Sequence, residues 1–253
     1  MSFLQNDWLA WLLLPLSGNA HHELAFWASM HGRVMVLCWG ILLPAGVLMA
    51  RFFKVMPSQK WPSELDNKTW WKAHLHGQST AIALTVVGVA MIWNTAGGAT
   101  ALARWHGYMG WAVTVLGVLQ ACAGLVRGSK GGPLEPVIRG DHYDMTKRRN
   151  TFEKTHKSLG YAALVLALST VFVGLVVADA PRWMLLLISL WWLVLIAGFV
   201  WLQKQGRCID TYQAIWGPDV AHPGNRIEPI GWGVKRYTAA SFAARFRKNK
   251  ETT

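Results

Sequence analysis

The chain has 253 residues, 53% hydrophobic and only 15% charged, with 16 Trp and a formal net charge of +12. Its three cysteines, Cys38, Cys122 and Cys208, form no C-x-x-C-H and no cluster framework, which excludes covalent c-type haem and an iron–sulfur centre. The positive charge is not a nucleic-acid footprint, because 21 of the 25 Lys and Arg fall in three stretches, 51–73, 127–155 and 203–253.

The first element is the short apolar run Trp8–Leu16, preceded by Asp7 and closed by Pro15 and the Gly18-Asn19 pair. It lacks a basic leader, so it is read as an interfacial or re-entrant segment rather than a secretory signal. Five stretches free of Asp, Glu, Lys and Arg follow: 34–50, 73–103, 105–126, 158–178 and 183–203. A helical span needs about 17–25 mostly apolar residues, and these runs lack the alternation of a barrel. The expectation is an all-α integral membrane protein with five transmembrane helices, near 21–53, 68–95, 101–126, 148–178 and 182–204. Short external connections, about 96–100 and 179–181, force neighbouring helices to run antiparallel.

The three basic stretches all lie on one side of this arrangement. By the positive-inside rule that side is cytoplasmic, which places the N-terminus outside and the C-terminus inside a bacterial inner membrane. The same charge suits anionic lipid headgroups. The chain is therefore divided into a periplasmic or interfacial segment 1–20, a membrane domain 21–204 and a cytoplasmic tail 205–253. In the loop 127–147, Asp141 and Asp144 read as a hydrogen-bonded turn in preference to a metal loop. The tail has turn signals at Gly217-Pro218 and Pro223-Gly224-Asn225 and is expected to cap the cytoplasmic face.

Four histidines, His31, His74, His106 and His156, each stand near one end of an apolar span. An ionisable side chain in a bilayer is expensive and usually functional. Because helix direction alternates, His31 and His106 fall at an outer level, and His74 and His156 at an inner level. Two neutral imidazoles facing each other can hold a b-type haem, so two levels make an electron wire. The last span carries no histidine and is expected to be peripheral to a four-helix haem-binding core. Gly32, Gly107, Gly77 and Gly160 lie close to the four histidines and would leave room for a flat macrocycle. His76 neighbours His74 but faces about 200° away, so both cannot serve one site. His21, His22, His142 and His222 are read as non-ligands. Arg33 and Arg104 at the outer level, and Lys72, Arg149 and Lys157 at the inner level, are candidate partners of haem propionates.

Four stretches carry a family resemblance: His31-Gly-Arg-Val-Met-Val-Leu-Cys-Trp-Gly-Ile-Leu-Leu-Pro44, Trp70-Trp-Lys-Ala-His74-Leu-His-Gly-Gln78, Trp105-His106-Gly-Tyr-Met-Gly110 and Phe152-Glu-Lys-Thr-His156-Lys-Ser-Leu-Gly-Tyr161. Over about 25–203 the chain resembles the cytochrome b561 family, in the five-helix form that elsewhere is joined to DOMON domains. The resemblance implies two bis-histidine haems b and transmembrane electron transfer. It favours His74 over His76, since the family's second-helix histidine is followed four places on by Gln, as His74 is by Gln78. It also implies that Lys68 and Lys72, one turn apart before His74, bind an anionic donor such as ascorbate. No DOMON domain is read in this chain, and the family's first helix is not matched.

The expected partners are membrane lipid, a periplasmic redox protein or acceptor, and a quinone or small anionic donor. No nucleic acid is expected, while a homodimer or a place in a larger complex stays open. The alternative function is a haem-bearing anchor subunit that links an external dehydrogenase to the quinone pool. A membrane di-iron hydroxylase fits less well, because its histidines must cluster on one side. A transporter also fits less well, because broken helices and midplane charges are missing.

Overall fold

The computed structural model describes residues 4–19, 24–94, 100–131 and 140–246. His21, His22 and the middle of the glycine-rich loop lie outside them. A short helix α1 (Leu4–Leu13) precedes five long ones: α2 (Phe26–Phe52), α3 (Thr69–Met91), α4 (Ala101–Leu125), α5 (Lys147–Val177) and α6 (Arg182–Lys204). Two short helices follow, α7 (Thr211–Trp216) and α8 (Ala239–Phe246).

Four of the long helices, α2, α4, α5 and α6, are long and apolar enough to cross a membrane. The fifth, α3, has the length (23 residues) but not the composition, because its first turns carry Lys72, His74, His76 and Gln78. Large apolar side chains such as Val165, Leu190, Leu193 and Leu119 stand exposed along these helices, a surface matched to lipid rather than water.

The described chain divides into two compact units, and the division falls inside each long helix. The first unit comprises 1–45, 77–119 and 160–198. Its core is Cys38, Trp39, Leu43, Ala81, Val113, Ala163 and Ala167. Small residues let the helices approach: a Cβ on Gly117 would stand 2.6 Å from Ile82 Cδ1, and one on Gly88 would stand 2.8 Å from Met35 Cε. Trp39 fills the space between them and donates its indole N–H to Thr85 Oγ1 at 3.0 Å.

Within α2, residues Val36–Leu42 form a π-helix. The cause is in the sequence. Pro44 has no N–H for the carbonyl of Gly40, and its ring crowds that carbonyl, so the helix widens ahead of it. The freed Gly40 oxygen accepts from Trp191 Nε1 (2.9 Å) and Trp192 Nε1 (3.3 Å) on α6. The last long helix carries no histidine, and its task in this unit is to hold α2. At the end of α1, Pro15 bridges to Pro181, and Ser17 donates its amide and its hydroxyl to the two oxygens of Asp179 (2.8 and 2.7 Å). These contacts hold the end of the segment expected to be interfacial, while Trp8, Leu9, Trp11 and Leu13 stay exposed.

The second unit comprises 46–76, 120–159 and 199–253. Here the tail folds back as a cap. Val55, Trp61, Ile209, Ala214 and Phe242 form its core. Polar ties surround it: Lys54 Nζ donates to Ile209 O (3.0 Å), Tyr212 OH to Tyr143 O (2.8 Å) and Arg51 to Trp232 O (2.7 Å). Burial, reinforced by the charge of Lys157, pulls the Lys54 ammonium down to about 8. Asp141 accepts from Ser129 N (3.0 Å) and Thr146 Oγ1 (2.8 Å), the hydrogen-bonded turn its spacing suggested.

Candidate functional site

Each unit brings two of the four histidines together. In the first, His31 of α2 and His106 of α4 have ring centroids 6.2 Å apart with planes crossed at 89°. In the second, His74 of α3 and His156 of α5 stand 6.3 Å apart at 83°. His76 is exposed and joins neither pair.

Backbone carbonyls set the chemistry of these rings. His31 Nδ1 bonds to Gly88 O (2.8 Å), His106 Nδ1 to Thr170 O (3.1 Å) and His74 Nδ1 to Gly46 O (3.1 Å). A carbonyl only accepts, so Nδ1 carries the proton and Nε2 keeps its lone pair. That is the tautomer a metal ligand needs, with ring orientation set by the second nitrogen. On the fourth ring, His156, Phe152 stacks from one turn back at 5.0 Å and 26°. Gly174 is required beside His106, where a Cβ would stand 2.8 Å from the ring's Cε1.

The separations allow a test of fit. A first-row metal sits about 2.0–2.1 Å from an imidazole nitrogen, itself about 1.1 Å from the ring centre, so two rings on opposite sides of one ion lie about 6.3 Å apart. Both pairs meet that spacing. A Cβ on Gly32, Gly77, Gly107 or Gly160 would meet no other part of the described chain within 4 Å, so the helix faces beside the histidines are bare. These residues fit an iron porphyrin held between paired imidazoles.

The expected cations divide into two kinds. Arg33, Arg104, Lys68 and Lys72 are exposed. Lys68 immediately precedes α3 and Lys72 lies in its first turn, with the Lys72 amide donating to Lys68 O at 2.8 Å. Arg149 and Lys157, the other two expected cations, both bind the carboxylate of Glu153: Arg149 through Nε (3.0 Å) and an Nη (2.9 Å), Lys157 through Nζ (2.8 Å). Glu153 was not singled out from the sequence, although its i±4 spacing to both cations was there to find. The carbonyls that fix the histidines had no sequence signal at all. His142 is buried beside this group, with Nε2 3.7 Å from Glu153 Oε1, and burial together with the Arg149 charge pushes its pKa down to about 3.

The model of the family described as eukaryotic cytochrome b561 matches residues 30–180, more than half of the chain and all four histidines. The chain belongs to the cytochrome b561 family. Its members are multi-pass membrane proteins, and the four long apolar helices of this chain agree with that. Among individual relatives, ferric-chelate reductase 1 of Homo sapiens is 32% identical over 158 residues, 62% of this chain and 24% of the human protein. A cytochrome b561, DM13 and DOMON domain-containing protein of Arabidopsis thaliana is 26% identical over 159 residues, 63% of this chain and 16% of that protein. A second Arabidopsis thaliana protein, with cytochrome b561 and DOMON domains, is 28% identical over 161 residues, 61% of this chain and 34% of its own length. The chain thus spans between about a sixth and a third of these relatives. No solved structure matches it.

Proposed function

We propose that this chain holds two haems b, one between His31 and His106 and one between His74 and His156, and moves electrons across a bacterial inner membrane. One redox partner acts from the cytoplasmic side, where the basic stretches lie, and the other from the periplasmic side. The single observation that carries the reading is the pair of histidine separations, 6.2 and 6.3 Å, one in each unit.

Haem b, when bound, would supply a one-electron ferric/ferrous couple. The chain's own residues do the rest. The carbonyls of Gly88, Thr170 and Gly46 hold three of the imidazoles in the ligating tautomer. The apolar helices exclude water. Arg33 and Arg104 at the outer pair, and Lys72 at the inner, are cations within one turn of a histidine and suit propionates. Lys68 and Lys72 suit an anionic donor such as ascorbate. The human relative is named a ferric-chelate reductase, which makes a ferric chelate the acceptor to try first.

The test is a reduced-minus-oxidised spectrum with a pyridine haemochrome count on purified protein, with His31→Ala, His74→Ala and His76→Ala beside it. Two haems b per chain, one lost in each of the first two variants and none in the third, is the expected result. One haem in the parent, or loss in His76→Ala with His74→Ala intact, overturns the assignment. Lys68→Gln should then slow reduction by ascorbate at unchanged haem content.

A further inference from the structure

Glu153 is the most deeply placed carboxylate near a candidate ligand, at 5% exposure. Both its oxygens are used, one by Arg149 and one by Lys157. The three residues follow at intervals of four along α5 and share one face. His156 lies three residues beyond Glu153 and one before Lys157. The group is also tied mechanically to the ring. The Arg149 guanidinium lies over Phe152, 5.2 Å from its centroid, and Phe152 stacks on His156. At the other end Lys157 Nζ donates to Ile230 O at 2.8 Å. Residue 230 belongs to the tail, beyond the stretch the family model matches.

A carboxylate taken out of water and clamped by two cations is costly to assemble and adds little net stability, so its position calls for another reason. The surroundings of a haem ligand set its potential through charge, burial and second-shell hydrogen bonds. We propose that Glu153 is a positioning residue for His156, and that the Arg149–Glu153–Lys157 group, anchored on Ile230 of the tail, sets the reduction potential of the haem bound by His74 and His156. This rests on the dihaem reading above. The group carries one negative and two positive charges, so the effect has a sign. Removing Glu153 leaves two cations uncompensated and favours the reduced haem. Removing Lys157 does the opposite.

The experiment is a potentiometric titration of the full-length protein followed by its haem absorbance, on wild type, Glu153→Gln, Lys157→Met and the double variant. Haem counts on wild type come first, and a count below two would fail the dihaem reading without touching the sign argument. With two haems present, the expected result is one component shifted up in Glu153→Gln and down in Lys157→Met. The double variant lies between them, and the other component is unmoved. Shifts of the same sign, or none, overturn the proposal, since loosened packing alone has no reason to reverse with charge. If Glu153→Gln loses the component, restoration in the double variant supports charge balance, and failure to restore it overturns the proposal.

Discussion

Trp191 supplies the hydrogen bond that Gly40 cannot obtain within its own helix. Its indole Nε1 donates to the Gly40 carbonyl at 2.9 Å, and Trp192 adds a second donor at 3.3 Å. The carbonyl is available because residue 44 is proline. The relationship joins the helix that carries His31 to a helix with no histidine of its own.

Replacing both tryptophans with phenylalanine keeps the apolar bulk and leaves that buried carbonyl without a partner. The expected cost is about 1–3 kcal/mol, with either single variant costing less because its neighbour remains. Thermal loss of haem absorbance measures it. In a Pro44→Ala background the helix regains its own donor, so the double variant should cost less there, a coupling that a mutant cycle reads directly.

Gly174→Ala presses on His106. The added Cβ stands 2.8 Å from Cε1 of a ring that Thr170 O already holds. Overpacking of this kind costs about 1–3 kcal/mol. Haem titration should show one of two haems bound more weakly, while Gly198→Ala, where a Cβ meets nothing within 4 Å, binds both as wild type does.

Arg236 fastens the tail. Its Nε pairs with Asp210 at 2.6 Å, and its Nη groups donate to the carbonyls of Gly224 (2.8 Å) and Asn225 (3.1 Å). Asp210 also caps α7 by accepting from the Tyr212 amide. Breaking such a pair costs about 3–5 kcal/mol, because the remaining charge is buried alone. Arg236→Ala should make residues 205–246 much more sensitive to limited trypsin at unchanged haem content.

His142 gives the second unit an acid limit. Its pKa falls from 6.5 to about 3 on folding, chiefly through burial and then through the Arg149 charge. The unfolded chain therefore binds a proton that the folded chain refuses. The resulting stability is complete above about 6.5 and is lost as pH falls from there toward 3, by an amount on the order of a few kcal/mol. Thermal midpoints between pH 7 and pH 5 should drop more steeply for wild type than for His142→Gln.

Much of this architecture is legible without coordinates. Charge-free runs mark α2, α4, α5 and α6, since a bilayer tolerates no unpaired charge over such a length. That His31 meets His106 and His74 meets His156 follows from alternating helix direction. The Gly40 carbonyl is predictable from Pro44 alone, though not which side chain would answer it. The resemblance favours His74 over His76 through Gln78, and the packed helix exposes His76 and turns His74 toward His156.

By itself the sequence determined the class of molecule, the positions of its long helices and the four histidines, because hydropathy and helix direction act locally along the chain. Tertiary structure alone decided which carbonyls orient three of the rings and that Arg149 and Lys157 meet at Glu153. It also decided that Ile230, more than seventy residues from Lys157, comes to rest on it. These are contacts between segments distant in sequence, chosen by which buried polar groups find partners once the helices have packed, and no local pattern encodes that choice.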